Sequence, residues 1–180
     1  YPTAERLGWV LVWMGDPALA NPAAAPSFQV RLGDPDWLTV SGYLHVKCSY
    51  RLIVDNLLDL SHLAYVHASS TGNRELAENA RIAAEVDGDR VRVTRWMMGV
   101  PAAPAFAEYA KYDGPIDRWQ GSEFIPPGYV YVNSGTMRSD AIKAGAPDDG
   151  AGAPPSVRMS SQAEWGFVVY HALTPETART

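Results

Sequence analysis

The sequence lacks most of the features that would make a function easy to name. One cysteine, Cys48, stands among 180 residues, so no internal disulfide can form. That usage points to a reducing compartment, and a cytoplasmic location is the expectation. Basic residues are outnumbered, 15 Lys and Arg against 20 Asp and Glu, for a net charge of −5. No basic stripe is left to neutralise phosphates, which excludes nucleic acid as a partner. No run of about 18 apolar residues exists to span a bilayer. Nor does a charged segment lead into an apolar one as an export signal does. The H-E-x-x-H pattern is also missing, so zinc-assisted peptide hydrolysis is not the natural use of the histidines present.

What is there is enough for a folded domain. Hydrophobic residues make up 47% and charged residues 19%, so a sizeable core is within reach. "GWVLVWM" (8–14) is β-branched and aromatic and reads as a buried strand; the Pro/Ala stretch after it reads as a connector. "LTVSGYLHVKCSY" (38–50) alternates like a strand. From Leu52 to Val66 the apolar residues recur at helical spacing. Residues 80–99 read as two strands joined by Asp-Gly-Asp, "APAFAEYAKY" as a short helix, and the rest as further strands. Residues 144–156 read as a Gly/Ala/Pro/Asp surface loop. The fold class this order predicts is α+β, helices against one face of a curved antiparallel sheet. The chain opens already in a strand-like run and stops at "TPETART", which reads as a fragment of something longer.

The segment that carries chemistry is "VDNLLDLSHLAYVHAS" (54–69), with His62 and His67 five positions apart and Asp55, Asn56 and Asp59 upstream. Neutral imidazoles are good ligands for iron or zinc, and two histidines with one carboxylate leave the open positions that oxygen chemistry at non-haem Fe(II) needs. Spacing sets a test. Five residues of ideal helix turn through about 500°, which aims the two rings roughly 140° apart. The helix therefore has to end, tighten or bulge before His67, and "HASSTGN" supplies turn residues there. Asp59, three residues before His62, is placed to brace a ligand histidine through its second ring nitrogen or to bond a neighbouring chain. Asn56 could brace Asp59 or lean toward an open metal position. From the residues alone, a metal site and a helix that merely carries two histidines both stay open. Arg118, Arg138 and Lys143 could meet an aromatic carboxylate by charge pairing, with surface solvation the default for each.

"DNLLDLSHLAYVH" resembles the mononuclear-iron segment of Rieske non-haem iron oxygenases, in the branch of vanillate O-demethylase and dicamba-type O-demethylase oxygenases. "YPTAERLGWVLVWMGDPALA", "GYLHVKCSYRLIVDNLLDLSH" and "HALTPET" (171–177) are similar to stretches of that branch in the same order. The resemblance implies a helix-grip catalytic domain, a curved antiparallel sheet around a long helix. It implies residues 1–20 as the end of a Rieske domain, 21–37 as connector and 38–180 as the catalytic domain. His62 and His67 would be metal ligands to a mononuclear non-haem Fe(II). Asp59 would carry electrons in from the cluster of an adjacent subunit, Asn56 would stand near the iron, and His171 would face the aromatic substrate. The implied activity is O2-dependent demethylation or hydroxylation of a methoxy- or otherwise substituted aromatic acid such as vanillate. The implied partners are O2, that substrate, a ferredoxin or reductase passing electrons from NAD(P)H, and two further copies in a homotrimer. The 2Fe–2S cluster needs C-x-H and C-x-x-H pairs, and Cys48 is followed by Ser-Tyr-Arg, so its ligands are expected outside these residues. The family's third iron ligand, an Asp after the "HALTPET" string, is expected outside them too. The alternatives are a helix-grip domain that only binds an apolar small molecule, or an inactive fragment.

Overall fold

The runs on either side of Asp87-Gly88-Asp89 fold back on each other and start a sheet, the hairpin that the Asp-Gly turn signals. In the computed structural model, residues 1–6, 8–25, 34–139 and 164–177 are described. They fall into two units, Tyr1–Val46 and Lys47–Thr180.

The first unit holds a hairpin of β1 (Thr3–Arg6) and β2 (Trp9–Val12). Two single 3₁₀ turns follow, Pro17–Leu19 and Pro22–Ala24. Each begins with proline and is capped by the side chain before it, Asp16 accepting from Ala18 N–H and Asn21 from Ala23 N–H. Two expectations are corrected here. The run 8–14 is not buried, since Val10, Val12 and Met14 are exposed. The run 38–50 forms no strand: no described strand takes up its ladder bonds, and Leu38, Val40, Tyr43 and Leu44 lie in the open. Alternation makes a strand only where a neighbour completes it.

The second unit begins with α1 (Tyr50–Leu58), the longest described helix at nine residues. Two shorter helices follow, α2 (Leu63–Val66) and α3 (Glu75–Asn79). The sheet is β3 (Arg81–Asp87), β4 (Arg90–Val100), β5 (Ile116–Ile125), β6 (Tyr129–Arg138) and β7 (Trp165–Ala172), in that spatial order. Every pairing is antiparallel. A fourth helix, α4 (Pro104–Ala110), enters between β4 and β5 with proline in its first turn.

Register shows which side chains share the helix-covered face. Cross-strand partners point the same way, so Arg95, Gln120, Ser134 and Phe167 form one row. Met97, Arg118, Thr136 and Trp165 form a second, and Val91, Phe124, Val130 and His171 a third. Onto this face pack Ala64 and Leu76, which close a core with Met97, Val100 and Ile116. Phe106 of α4 is fully buried against Trp165, ring centres 5.2 Å apart. The opposite face matches large to small. Trp96 and Trp119 stand in line with Gly135 and Gly166, and a Cβ at Gly135 would sit 1.9 Å from the Trp119 ring. The expected loop at 144–156 lies outside the described residues.

Candidate metal centre

The apolar segment predicted as one helix from Leu52 to Val66 is broken at Asp59, whose ψ of 92° leaves the helical region. The cause is local. The Asp59 carboxylate takes Ser61 N–H at 2.8 Å and the Ser61 hydroxyl as well, both on Oδ1. An acid that bonds the backbone two residues on offers the chain an alternative to the helix ladder, and it serves as the N-cap of the next helical piece. That piece is a 3₁₀ turn over Leu60–His62 that runs into the single turn of α2. His67 is the residue after α2, with φ −110° and ψ 23°, and its N–H reaches Leu63 O at 3.3 Å. The spacing requirement is thus met: no regular helix runs through His67.

The break brings the two imidazoles together. Their ring centres are 5.3 Å apart and their planes 62° to each other. Two rings each bonded at about 2.1 Å to one ion have centres about 5 Å apart, so the pair fits a shared metal. His62 Nδ1 lies 2.5 Å from Asp59 O. Nδ1–H donating to that carbonyl leaves Nε2 with its lone pair, the arrangement that presents an imidazole to a metal. The Asp59 carboxylate, expected to brace the ring, does not do so; its backbone carbonyl does. The carboxylate is exposed and engaged by Ser61. Those two bonds hold it below the ordinary carboxylate range; burial opposes them, and the neighbouring His62 adds a smaller lowering.

A prediction follows for Ser61→Ala. A carboxylate with a depressed folded pKa contributes stability that is present above its ordinary value and lost as pH falls through the folded one. Without the hydroxyl, Asp59 titrates at higher pH and that loss begins earlier. Carboxyl-carbon NMR of wild type and variant reads the shift directly, and an unmoved Asp59 titration would refute the cap.

The other predicted site residues are less concentrated. Asn56 is exposed on α1, one turn before Asp59. His171 belongs to the edge strand β7, on the helix-covered face opposite Val130, and burial pushes its pKa down. Among the described residues no group of three His, Cys, Asp or Glu assembles that could hold a metal. His45 and Cys48, expected on one strand, are on none, and Cys48 is half-buried.

Sequence reading missed the inward face of β5. Arg118, expected to be solvated, is 1% exposed, and Gln120 and Ser122 are buried beside it. Arg118 Nε and Nη2, Gln120 Oε1 and Ser122 Oγ have no hydrogen-bond partner among the described residues. Burial first, and the Arg95 charge second, push the Arg118 guanidinium down to about 9. The signal was legible as R-x-Q-x-S at period two, which puts the three polar residues on one face of the strand. Arg138, the other predicted anion partner within the described residues, pairs with Glu164 at 2.9 Å, and Lys143 lies outside them. No helix among the described residues is long and apolar enough to cross a membrane.

Fold and site together define an α+β helix-grip-like domain, an antiparallel sheet whose covering helices break to pair two histidines. The chain belongs to the vanillate O-demethylase oxygenase C-terminal domain family, whose pattern matches residues 46–180. It is 38% identical to the vanillate O-demethylase oxygenase subunit of Pseudomonas sp. (strain ATCC 19151), over 98% of this chain and 51% of that protein. To the dicamba O-demethylase oxygenase component of Stenotrophomonas maltophilia it is 37% identical, over 66% of this chain and 35% of that protein. The crystal structure of dicamba monooxygenase bound to 3,6-dichlorosalicylic acid superimposes with a TM-score of 0.71, at 30% identity, over 82% of this chain and 42% of that one. The chain spans about half the length of the curated relatives it matches. The resemblance read from the motifs and the α+β fold class are both borne out.

Proposed function

We propose that this chain is the mononuclear-iron part of a Rieske-type oxygenase that removes the methyl group from a methoxylated aromatic acid of the vanillate kind. The observation that carries the reading is the break at Asp59, which brings the rings of His62 and His67 together and engages only Nδ1 of His62 with the Asp59 carbonyl. Family membership supports the same chemistry, since the relatives are named as O-demethylase and monooxygenase components. His62 and His67 would hold the ion, with a third, carboxylate ligand from outside the described residues. Held there, Fe(II) supplies the binding and reductive activation of O2. The net reaction takes one O2, two electrons and two protons; the methyl carbon is hydroxylated, one oxygen leaves as water, and the hemiacetal splits to a phenol and formaldehyde.

The chain's own residues have distinct tasks in this reading. Asp59, exposed and ionised, keeps Oδ2 for a group arriving from an adjacent subunit, the route by which cluster electrons would enter. Asn56 lies three residues before Asp59, on α1. His171 is neutral at pH 7, so it offers the substrate one N–H donor and one lone pair. Gln120 and Ser122 give the sheet floor under α1 polar atoms for the ring's oxygen substituents. Residues 1–20 would close the Rieske domain and 21–37 connect it to the catalytic domain from 38 onward. The 2Fe–2S ligands would lie outside this chain, the electron donor would be a ferredoxin or reductase, and the assembly a cytoplasmic homotrimer.

The test is turnover of the full-length oxygenase with a reductase, NADH, O2 and vanillate. One formaldehyde per O2 is expected, together with iron bound beyond the cluster. A binding domain without catalysis is the competing reading, favoured by the missing third ligand among the described residues; vanillate bound without iron or formaldehyde would establish it.

His171 also sets a pH dependence. Between its lowered folded pKa and the ordinary imidazole value of about 6.5, the unfolded chain binds more protons. Its contribution to stability is therefore complete above about 6.5 and is lost as the pH falls through the folded value. Melting temperature followed from pH 7.5 to 5 should fall less in His171→Gln than in the wild type.

A further inference from the structure

Breaking a helix to aim two histidines leaves backbone carbonyls without the N–H groups that a continuous ladder would supply, and in a core such orphans are costly. Here two buried arginines donate to three carbonyls within and after the broken stretch. Arg95, 2% exposed on β4, donates from Nη1 to Leu60 O at 2.5 Å and from Nη2 to Leu76 O. Leu60 lies in the 3₁₀ turn between Asp59 and His62. Arg118 on β5 donates from Nη1 to Thr71 O at 2.6 Å, four residues past His67. Its guanidinium stacks 4.2 Å over the ring of Phe106. Between these anchors His67 O accepts from Ser70 N–H and Gly72 N–H, and Ser70 O accepts from Ala105 N–H at the start of α4.

Neither arginine has a salt bridge to a carboxylate within 4 Å among the described residues. Burying two guanidinium groups to bond neutral carbonyls is expensive, and apolar side chains would fill the same space at less cost. What a guanidinium supplies that an apolar group does not is a rigid set of donors: Arg95 fixes two backbone points at once and Arg118 fixes one. Each arginine has one bond beside the histidines, Arg95 two residues before His62 and Arg118 four residues after His67.

We propose that Arg95 and Arg118 are positioning residues for the metal, each clamping the backbone beside one of the two histidines to the sheet. The inference rests on the iron reading of His62 and His67. It concerns how firmly the apo-protein pre-sets their geometry.

The experiment measures Fe(II) and Co(II) affinity of the full-length protein, and the Co(II) absorption bands, for Arg95→Met, Arg118→Met and Arg95→Lys. Met137→Ala is the comparison, since Met137 is buried in the separate cluster with Trp119 and has no part in the clamp. All are measured at a temperature where circular dichroism shows the chain folded. The Met variants should lose 10–100-fold in affinity, the range for residues that orient ligands, and shift the Co(II) bands. Arg95→Lys, which keeps one donor of the fork, should recover part of the loss and serves if Arg95→Met does not fold. Met137→Ala, with a comparable fall in melting temperature, should bind metal like the wild type. Unchanged affinity and bands in the arginine variants, or an equal loss in Met137→Ala, overturns the clamp. A wild-type protein that takes up no metal beyond the cluster overturns the iron reading itself, and the clamp with it.

Discussion

If His62 and His67 hold iron as proposed, replacing His67 by alanine will remove that metal and with it formaldehyde release from vanillate, while the chain stays folded. The reason is the asymmetry between what His67 does for the fold and what it would do for the site. Its side chain is exposed and its ring packs against that of His62, so truncation removes little packing. A surface change of this kind moves stability by about 0.5 kcal/mol or less. A metal held by few ligands cannot spare one: residues that only orient ligands are worth 10–100-fold in affinity, and a ligand itself exceeds that. His62→Ala should lose metal to the same degree, with an added local effect, because its Nδ1 also ties down the Asp59 carbonyl. Metal content by plasma emission, with melting temperature alongside, separates the outcomes. Metal retained at wild-type stoichiometry in either variant refutes the pair as ligands.

The second large effect is expected at Gly72. A methyl group there would meet Leu63 O at 1.9 Å, Leu63 C at 2.9 Å and His67 C at 3.0 Å. These are backbone atoms of the turn that ends α2, so no side-chain rotation relieves the clash. Gly72→Ala should cost roughly 1–3 kcal/mol, as overpacking does, and force His67 away from His62. Metal affinity should fall at least about tenfold, as it does when a ligand's support is lost. Gly135→Ala provides the contrast. There the collision is with the Trp119 ring at 1.9 Å, on the sheet face away from the histidines. It should lower the melting temperature as well, by about 2–4 °C for each kcal/mol in a chain of this size, and leave metal binding intact. Equal metal affinity in Gly72→Ala and wild type would show that the turn does not set His67.

Hairpins and helix spacing were readable in the sequence because each is decided within a few residues. Asp-Gly-Asp between two alternating runs has one good solution, and it is the β3–β4 turn. The short helix from Pro104 likewise follows from proline in a first turn. Residues 38–50 show the limit, since their alternation is the same as that of a true strand and only a partner could decide it. The helix break was legible as a requirement of the five-residue spacing, but its position was not. It falls at Asp59, where an acid two residues before a serine outweighs the helical pattern of Leu57, Leu60 and Ala64. Arg118 was misread for a related reason. A charged residue in a strand is solvated by default, and only the row it shares with Met97, Thr136 and Trp165 shows that it points inward.

The fragmentation of the histidine segment also sets its place in the hierarchy of opening motions. From Asp59 to Gly72 the backbone is a 3₁₀ turn, one α turn and a loop, flanked by a sheet whose strands run up to eleven residues. Held to the sheet only near its ends, by Arg95 at Leu60 and Arg118 at Thr71, such a stretch should still open more readily than the sheet, and its amides should exchange with solvent before those of β4 to β6. Metal uptake would reverse that order by linkage, since a ligand bound only to the closed form adds about 2.7 kcal/mol at a hundred times its dissociation constant. The same stretch that opens most readily without metal would then become one of the slowest to exchange. Amide exchange over residues 59–72 would thus report occupancy of the centre without any turnover being measured.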